Sequence, residues 1–336
     1  MLVLITLAST SLTPLMLAYA RHFQLHDQPG PRRSHQGVIA RGGGAVAVLL
    51  LLGGILLWQG RFGWSGLLLP PVLAVALIGW LDDHKPQPIK RRLAVQAGAT
   101  LWLLALASHP PAINLGPWPL PLSGVTLVWL IPLALLLIPG LINSYNFMDG
   151  SHGLAATQAI FSGGACCLLL RDQSPTAAAL GGLLAAAMLG FLPWNFPRPR
   201  IFMGDVCSGV LGLTIAACML LAMPRHWLLP LTLSSLFVVD TGMTLIWRMR
   251  RGEVWYRAHR EHLYQRLIQS GWSHQRVCLT YLLINLILVL PVAAGSVFMP
   301  SLALPLFISL SLILALGWLW ATRLLQQTPP ARGSTA

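Results

Sequence analysis

The sequence predicts an all-α integral membrane protein, a polytopic bundle of about eleven transmembrane helices. Two observations carry this reading. Hydrophobic residues make up 55% of the 336-residue chain and charged residues only 9%, against about 25% charged in water-soluble domains. The few charges also gather in short breaks between long apolar runs, and the bases concentrate in alternate breaks. Mean hydropathy is +0.68.

The apolar runs lie at roughly 1–20, 43–58, 66–81, 93–107, 124–141, 153–170, 177–192, 207–222, 228–247, 277–298 and 301–322. At ~1.5 Å per residue, most reach across a ~30 Å hydrocarbon core. The shorter ones need flanking residues or local bilayer thinning, and Pro300 leaves the division of the last two open. Ala18-Tyr19-Ala20 resembles a signal-peptide cleavage site, but no Lys or Arg precedes the first run, so that helix is expected to be retained. We read residues 1–322 as one polytopic domain and 323–336 as a short cytoplasmic tail.

Orientation follows from the bases. Loops 21–42, 82–92, 193–206 and 248–276 carry 4, 4, 2 and 7 Lys/Arg, and loop 142–152 carries none. The alternate breaks hold only Arg61, Arg171 and Arg225. Positive charge stays in the cytoplasm, which predicts a periplasmic N-terminus and a cytoplasmic C-terminus in a bacterial inner membrane. The formal net charge of +13 then lies mainly beside anionic lipid headgroups. Bases spread over membrane loops do not make a nucleic-acid surface, so no nucleic-acid partner is expected. The five cysteines lie within or at the ends of apolar runs, without metal-ligand spacing.

The inward loops hold most of the nine acidic residues. Asp27, Pro29, Arg32, Arg33 and His35 precede Arg41-Gly42-Gly43-Gly44. Glycines opening a helix expose N–H groups to a phosphate, although an anchor followed by a hinge would read the same. Asp82-Asp83-His84-Lys85 opens the second loop and Lys90-Arg91-Arg92 closes it. Adjacent carboxylates repel unless a cation or shared proton compensates, which suits a divalent ion or proton removal from a phosphate. A solvated helix end paired with Lys85 and Arg91 is the alternative. The third loop sets Asn143, Asn146, Asp149 and His152 at spacings of three with no base, an oxygen-rich face that is costly in a membrane region. The fourth runs from Pro193 through Phe202 to Asp205, where a lone Asp also suits a helix N-cap. The fifth contains Arg248 to Arg251, then His259-Arg260-Glu261-His262-Leu263-Tyr264-Gln265. Its Arg and His residues suit phosphate contact, or a basic anchor. Asp240, inside an apolar run, is a functional candidate or a buried ion-pair partner.

In this order the motifs resemble those of the polyprenyl-phosphate N-acetylhexosamine-1-phosphate transferases, glycosyl transferase family 4, which include phospho-N-acetylmuramoyl-pentapeptide translocase. The family's Asp-Asp pair matches Asp82-Asp83. Its N-x-x-N-x-x-D-G run matches Asn143, Asn146, Asp149 and Gly150, its F-M-G-D stretch matches Phe202 to Asp205, and its D-x-P-x-x-R loop matches Asp27, Pro29 and Arg32. The resemblance spans Asp27 to Gln265. It implies attack by undecaprenyl phosphate on the β-phosphate of a UDP-N-acetyl sugar, release of UMP, and Mg²⁺ or Mn²⁺. It further implies Asp82 and Asp83 as catalytic, and Asp205 and Asp149 as metal-binding. Asn143, Asn146, Phe202, Lys85, Arg32, Arg260 and His262 would bind substrate, with Phe202 stacked on uracil. A homodimer is compatible with it.

Three positions depart from the family pattern. His152 stands where many relatives have a second Asp, Cys207 where a glycine often follows, and the H-x-H-H element is reduced to His262 followed by Tyr264-Gln265. The His-Arg-x-His-x-Tyr-Gln form is similar to the branch that starts O-antigen or related glycan assembly, which implies an N-acetylated sugar, 6-deoxy forms included. A transporter of a lipid-linked sugar, or an inactive scaffold, are the rival readings. A transporter needs polar groups near the bilayer midplane, and His152 and Cys207 motivate the scaffold.

Overall fold

The computed structural model describes residues 1–27, 39–58, 65–107, 112–115, 118–121, 124–223, 225–254, 256–257 and 259–327. The helices are α1 (Leu2–His22), α2 (Ala45–Leu57), α3 (Ser65–His84), α4 (Ile89–Ala107), α5 (Gly124–Met148), α6 (Leu154–Leu169) and α7 (Pro175–Asn195). They continue with α8 (Asp205–Leu221), α9 (Leu228–Leu233), α10 (Ser235–Arg250), α11 (Leu263–Gln269), α12 (His274–Ile284), α13 (Leu290–Phe298) and α14 (Ala303–Gln327). Every expected apolar run falls on helix. Among the described residues six helices are long and apolar enough to cross a membrane, fewer than the eleven expected: α1, α3, α5, α7, the α12–α13 stretch, and α14 with the 3₁₀ turn before it. The protein is mostly helical but not purely so. Two antiparallel ribbons interrupt it, β1 (His26–Asp27) with β2 (Ile39–Ala40) and β3 (Ala112–Leu115) with β4 (Trp118–Pro121).

Several expected loops prove to be helix ends. α3 continues through Asp82-Asp83 and stops only before Pro86, because the residue preceding a proline disfavours helix. α4 starts just after Pro88, so Lys90-Arg91-Arg92 form its first turn. Asn143 and Asn146 belong to the last turns of α5. Polar residues lower hydropathy without ending a helix, and that is why the sequence placed the breaks too early.

α8 is the hub. Every residue from Val206 to Leu220 is buried, the all-round apolar pattern of a central helix. Missing side chains let its neighbours come close. A Cβ on Gly212 would lie 2.4 Å from the Leu141 carbonyl oxygen of α5, and one on Gly79 of α3 would lie 2.1 Å from the Asp205 carbonyl oxygen. On the other side, Gly163 of α6 and Gly181 of α7 face each other, each hypothetical Cβ falling 2.5–2.6 Å from the other's carbonyl oxygen. α1 is clasped to α7 by hydroxyls, with Ser9 donating to Ala187 O at 2.8 Å and Thr10 to Gly190 O at 3.1 Å. Small residues and hydroxyls serve here because lipid offers no hydrophobic drive for helix association.

One helix is broken in its interior. Between α9 and α10 the Leu233 carbonyl accepts from Gln158 Nε2 at 2.8 Å and Ser162 Oγ at 3.3 Å, while Tyr145 and Ser234 share a hydroxyl bond of 3.0 Å. Asn285 joins by donating to Gln158 Oε1 at 2.6 Å. It sits in a π-helical turn, Asn285–Val289, just ahead of Pro291, whose missing N–H disrupts the regular ladder. These polar groups satisfy backbone that the bilayer cannot.

The Gly163–Gly181 contact sets the α6–α7 separation. Gly181→Val is expected to destabilise the protein by about 1–3 kcal/mol through overpacking, seen as a lower thermal midpoint in detergent. Gly164→Ala, where a Cβ meets nothing within 4 Å, should leave the midpoint unchanged or higher, since alanine is the better helix former. Equal effects of the two substitutions would contradict this packing.

Candidate active site

The site begins where three segments meet at the start of α8. The Asp83 side chain is only 1% exposed, and its carboxylate accepts the N–H groups of Asp205 at 2.8 Å and Val206 at 3.0 Å. It thereby caps a helix belonging to another part of the chain, satisfying free N–H donors and the positive end of the helix dipole. Arg41 closes the knot, with Nε 2.6 Å from Asp83 and Nη2 2.9 Å from Asp205. Gly204, at φ +83°, turns the chain into α8, and a Cβ there would fall 2.5 Å from Asp83 Oδ2.

The first and fourth loops are zipped by backbone. Phe202 N–H donates to Ala40 O at 2.7 Å, and the N–H groups of Gly43 and Gly44 donate to Phe202 O and Met203 O, both at 2.9 Å. The N–H groups of Gly43 and Gly44 are therefore not held open for phosphate. A Cβ on Gly44 would lie 2.2 Å from that of Cys207, so the triplet serves close packing, and Cys207 is a buried part of that packing. Arg32 lies outside the described residues.

A second guanidinium completes the centre. Arg92 Nη1 stands 3.4 Å from Asp82 and 3.6 Å from Asp205, and Nη2 donates to Asn146 Oδ1 at 3.3 Å. Asn146 in turn donates to Ser208 at 2.9 Å. Asp82 also accepts the Gln87 N–H at 2.7 Å. Asn143 is held differently: its amide exchanges two hydrogen bonds with Gln96, at 2.9 and 3.3 Å, and donates to Pro139 O at 2.8 Å. Both its donors are engaged within the bundle, so it buttresses Asn146 one turn on. Among the three carboxylates the Asp205 side chain is the most exposed, at 20%. It lies with Arg92 and Asn146 beside a small open cleft also lined by Val75, Ile78 and Ile142.

Asp149 follows α5 in a half-buried turn. Burial and the charge of Asp205 hold its carboxyl well above the usual range. Next to it an aromatic stack joins three segments. His152 lies parallel to His274, with ring centroids 3.8 Å apart, and 6.0 Å from Phe202. Ser151 and His274 share a 3.0 Å hydrogen bond. His152, the departure from the family pattern, is thus built into the packing of the third loop.

The fifth loop reaches the site through the third. His262 is buried against Phe147, centroids 5.7 Å apart, and Tyr264 donates to Phe147 O at 2.9 Å. A Cβ on Gly150 would fall 2.2 Å from the Tyr264 oxygen, which explains the glycine. Glu261 gathers Arg248, Arg251 and Arg266, and Arg260 is half-buried with its carbonyl accepting from Gln269 at 3.1 Å. Burial first, then His262 and Arg248, push His259 down to about 4, and burial also lowers His262. At neutral pH these imidazoles are uncharged and can only offer hydrogen bonds. Lys85 is exposed one residue beyond α3.

The structure thus brings Asp82, Asp83, Asn146 and Asp205 together around Arg41 and Arg92, with Asn143 behind them. Phe202 and Asp149 form one flank, and Arg260 and His262 belong to a layer that contacts the third loop. The sequence reading missed Arg41, Arg92 and Gln96 as site residues. Arg92 was hidden among three adjacent bases, and only the helical phase of α4 distinguishes it. No group of three His, Cys, Asp or Glu side chains forms a metal cage among the described residues. Mg²⁺ does not require one, since it binds through one or two carboxylates plus phosphate oxygens and water. Three carboxylates against two guanidiniums leave net negative charge here, and the partly exposed carboxylate of Asp205 with the amide oxygen of Asn146 are hard donors, so the residues fit such an ion.

Fold and site together define a membrane-embedded helical protein with a carboxylate–arginine centre at one end of its bundle. Residues 65–223 match the family model described as glycosyl transferase family 4. The decaprenyl-phosphate N-acetylglucosaminephosphotransferase of Mycolicibacterium smegmatis is 31% identical, the match covering 81% of this chain and 73% of that protein. The phospho-N-acetylmuramoyl-pentapeptide-transferase of Desulforudis audaxviator is 32% identical over 82% of this chain and 86% of its own. The probable undecaprenyl-phosphate N-acetylglucosaminyl 1-phosphate transferase of Bacillus subtilis is 26% identical over 82% and 78%. The chain belongs to glycosyl transferase family 4.

The Glu261 cluster makes a pH-dependent contribution of definite sign. Burial would raise the carboxyl, but Arg251, Arg248 and Arg266 outweigh it and hold Glu261 below its usual 4.5. A depressed folded pKa means the stabilisation is complete above about 4.5 and fades as pH falls through the folded value. The thermal-midpoint difference between the wild type and Glu261→Gln should therefore be largest near pH 6 and shrink below pH ~4.5. A constant difference across that range would rule out the ion pairs as its source.

Proposed function

We propose that this protein transfers an N-acetylhexosamine-1-phosphate from a UDP-sugar to undecaprenyl phosphate, releasing UMP, at the cytoplasmic face of a bacterial inner membrane. One observation carries the reading: a carboxylate–guanidinium centre lies at the mouth of a cleft whose wall is apolar. A lipid phosphate and a water-soluble nucleotide can meet only at such a boundary. The names of the relatives support the same chemistry, since each names a transferase of a phosphorylated N-acetyl sugar and two name a polyprenyl phosphate.

In the reaction an acceptor phosphate oxygen attacks the β-phosphorus of the donor, and the bond between β-phosphorus and the bridging oxygen breaks, leaving UMP. Little covalent chemistry falls to the protein, and positioning with charge stabilisation dominates. Arg92, beside the cleft, faces the phosphates. Asp82 is held more loosely than Asp83 and is the better candidate to orient the acceptor or take its remaining proton. A phosphate monoester has a second pKa near about 6, so orientation matters more than basicity. Asp83 acts indirectly, by capping α8 and so placing Asp205. A Mg²⁺ or Mn²⁺ ion held by Asp205 and Asp149 would neutralise the diphosphate and activate UMP as leaving group. Phe202, beside the stacked His152–His274 pair, is the candidate uracil platform.

The His-Arg-x-His-x-Tyr-Gln sequence supports a role in starting O-antigen or a related envelope glycan. FucNAc, QuiNAc and GlcNAc are the sugars to try first. Tyr145, Gln158, Ser162, Ser234 and Asn285, interior polar groups of the kind a transporter would need, instead bond one another and the Leu233 carbonyl at the helix break, which favours the enzyme.

Purified protein with undecaprenyl phosphate and a panel of UDP-N-acetyl sugars should release UMP with Mg²⁺ and not with EDTA. No metal-dependent UMP from any donor would sink the proposal. Asp205→Asn should lower turnover by about 10²–10³-fold, as expected for removal of a charge-stabilising group, while expression is retained; near-normal turnover would refute its role. A reporter fused at Pro86 should be cytoplasmic, and a periplasmic signal would overturn the orientation.

A further inference from the structure

Asp240 lies within α10, 2% exposed, and the proposed chemistry gives it no part. Its oxygens are nevertheless fully engaged. Oδ1 accepts the Leu263 N–H at 2.8 Å, the Trp318 indole N–H at 3.0 Å and the Thr244 hydroxyl at 3.4 Å. Oδ2 accepts the Tyr281 hydroxyl at 2.9 Å and the Tyr264 N–H at 3.4 Å. Every partner is a donor, so the position demands a side chain that only accepts. An amide would turn its own N–H₂ towards donors. The donors come from α10 itself, α11, α12 and α14, so one carboxylate gathers four helices.

The consequence runs towards the site. Fixing the first two N–H groups of α11 fixes the Tyr264 ring, which is fully buried. Its hydroxyl donates to Phe147 O at 2.9 Å, and the phenol fills the space where a side chain on Gly150 would lie. That contact falls on the turn carrying Asp149, and one residue beyond Asn146. The stack of His262 on Phe147 reinforces it.

We propose that Asp240 is a positioning residue: through α11 and Tyr264 it sets the register of the Asn146–Gly150 turn against Asp205, coupling the C-terminal helices to the reaction centre. This rests on the transferase reading above. Small displacements cost a transition state more than ground-state binding, so breaking the chain should lower kcat with little change in KM.

The test compares full-length wild type, Asp240→Asn, Tyr264→Phe and the double variant in detergent. Kinetics use undecaprenyl phosphate and whichever UDP-sugar the wild type accepts. Backbone hydrogen exchange is followed in parallel. Tyr264→Phe should lower kcat by about tenfold with donor KM within about twofold. Asp240→Asn should do at least as much, and the double variant should be no worse than Asp240→Asn, because two breaks in one chain do not add. Exchange should rise at residues 146–150 in every variant, and at 263–269 in the Asp240 variants, while α1 and α7 stay unchanged. A wild-type kcat in Asp240→Asn, a double variant equal to the product of the singles, or unchanged exchange at 146–150 would each overturn the proposal. If Asp240→Asn fails to fold, Tyr281→Phe and Trp318→Phe each remove one donor and leave the carboxylate, and the same outcomes apply to them. Exchange needs no turnover. A wild type that releases no UMP from any donor therefore defeats the transferase reading, while the clamp is still judged by exchange.

Discussion

Asp83 sits at the end of one helix and receives the first N–H groups of another, with the guanidinium of Arg41 closing the contact from a third segment. Most of the site geometry depends on this knot. A helix start buried in a bundle has N–H groups that neither lipid nor water can satisfy, and a buried carboxylate needs donors. Each cures the other. The pairing fixes α8 against α3 to within a hydrogen bond, and it turns Asp205, the first residue of α8, towards the cleft. Gly79 and Gly204 are glycines because the knot leaves no volume for a Cβ. The centre therefore owes its shape to backbone satisfaction first and to side-chain chemistry second.

The same rule operates deeper in the bundle. The break between α9 and α10 frees a carbonyl, and Gln158 and Ser162 supply the donors it lacks. The π turn ahead of Pro291 brings Asn285 onto Gln158. Asp240 does for α11 what Asp83 does for α8: a carboxylate on one helix accepts the leading N–H groups of another. Two acid caps, Asp83 and Asp240, hold the first, second, fourth and fifth segments, and through Tyr264 the third, in a common frame.

Much of this was legible in the sequence, because polar residues in a chain with 9% charge stand out. Asp82, Asp83, Asn146 and Asp205 were identified that way, and the structure does assemble them. What the sequence could not give was helical phase. Lys90, Arg91 and Arg92 look equivalent, yet only Arg92 reaches Asp82, Asp205 and Asn146. Gln96 reads as a stray polar residue until α4 and α5 are side by side. The resemblance implies a substrate contact for Asn143, and the structure shows its amide bonded to Gln96. Tyr264 was counted as a departure from a histidine pattern, since the need for a phenol arises only from the missing side chain at Gly150. Asp240 is visible as an intramembrane acid, but all its partners except Thr244 lie 23 to 78 residues away.

The layout also accounts for the residues that depart from the family pattern. The proposed transfer needs two substrates of opposite solubility, and the site has two unlike sides. Towards α3, α4 and α5 the cleft is walled by Val75, Ile78 and Ile142, surface suited to a lipid tail. On the other flank Phe202, His152 and His274 form an aromatic stack joining the third and fourth loops to α12, surface suited to a nucleobase. A second carboxylate in place of His152 would add charge beside Asp149, whose carboxyl is already pushed up by burial and by Asp205. An imidazole there instead contributes a flat ring without adding negative charge. His152 thus extends the aromatic flank instead of adding a further carboxylate to the turn that carries Asp149.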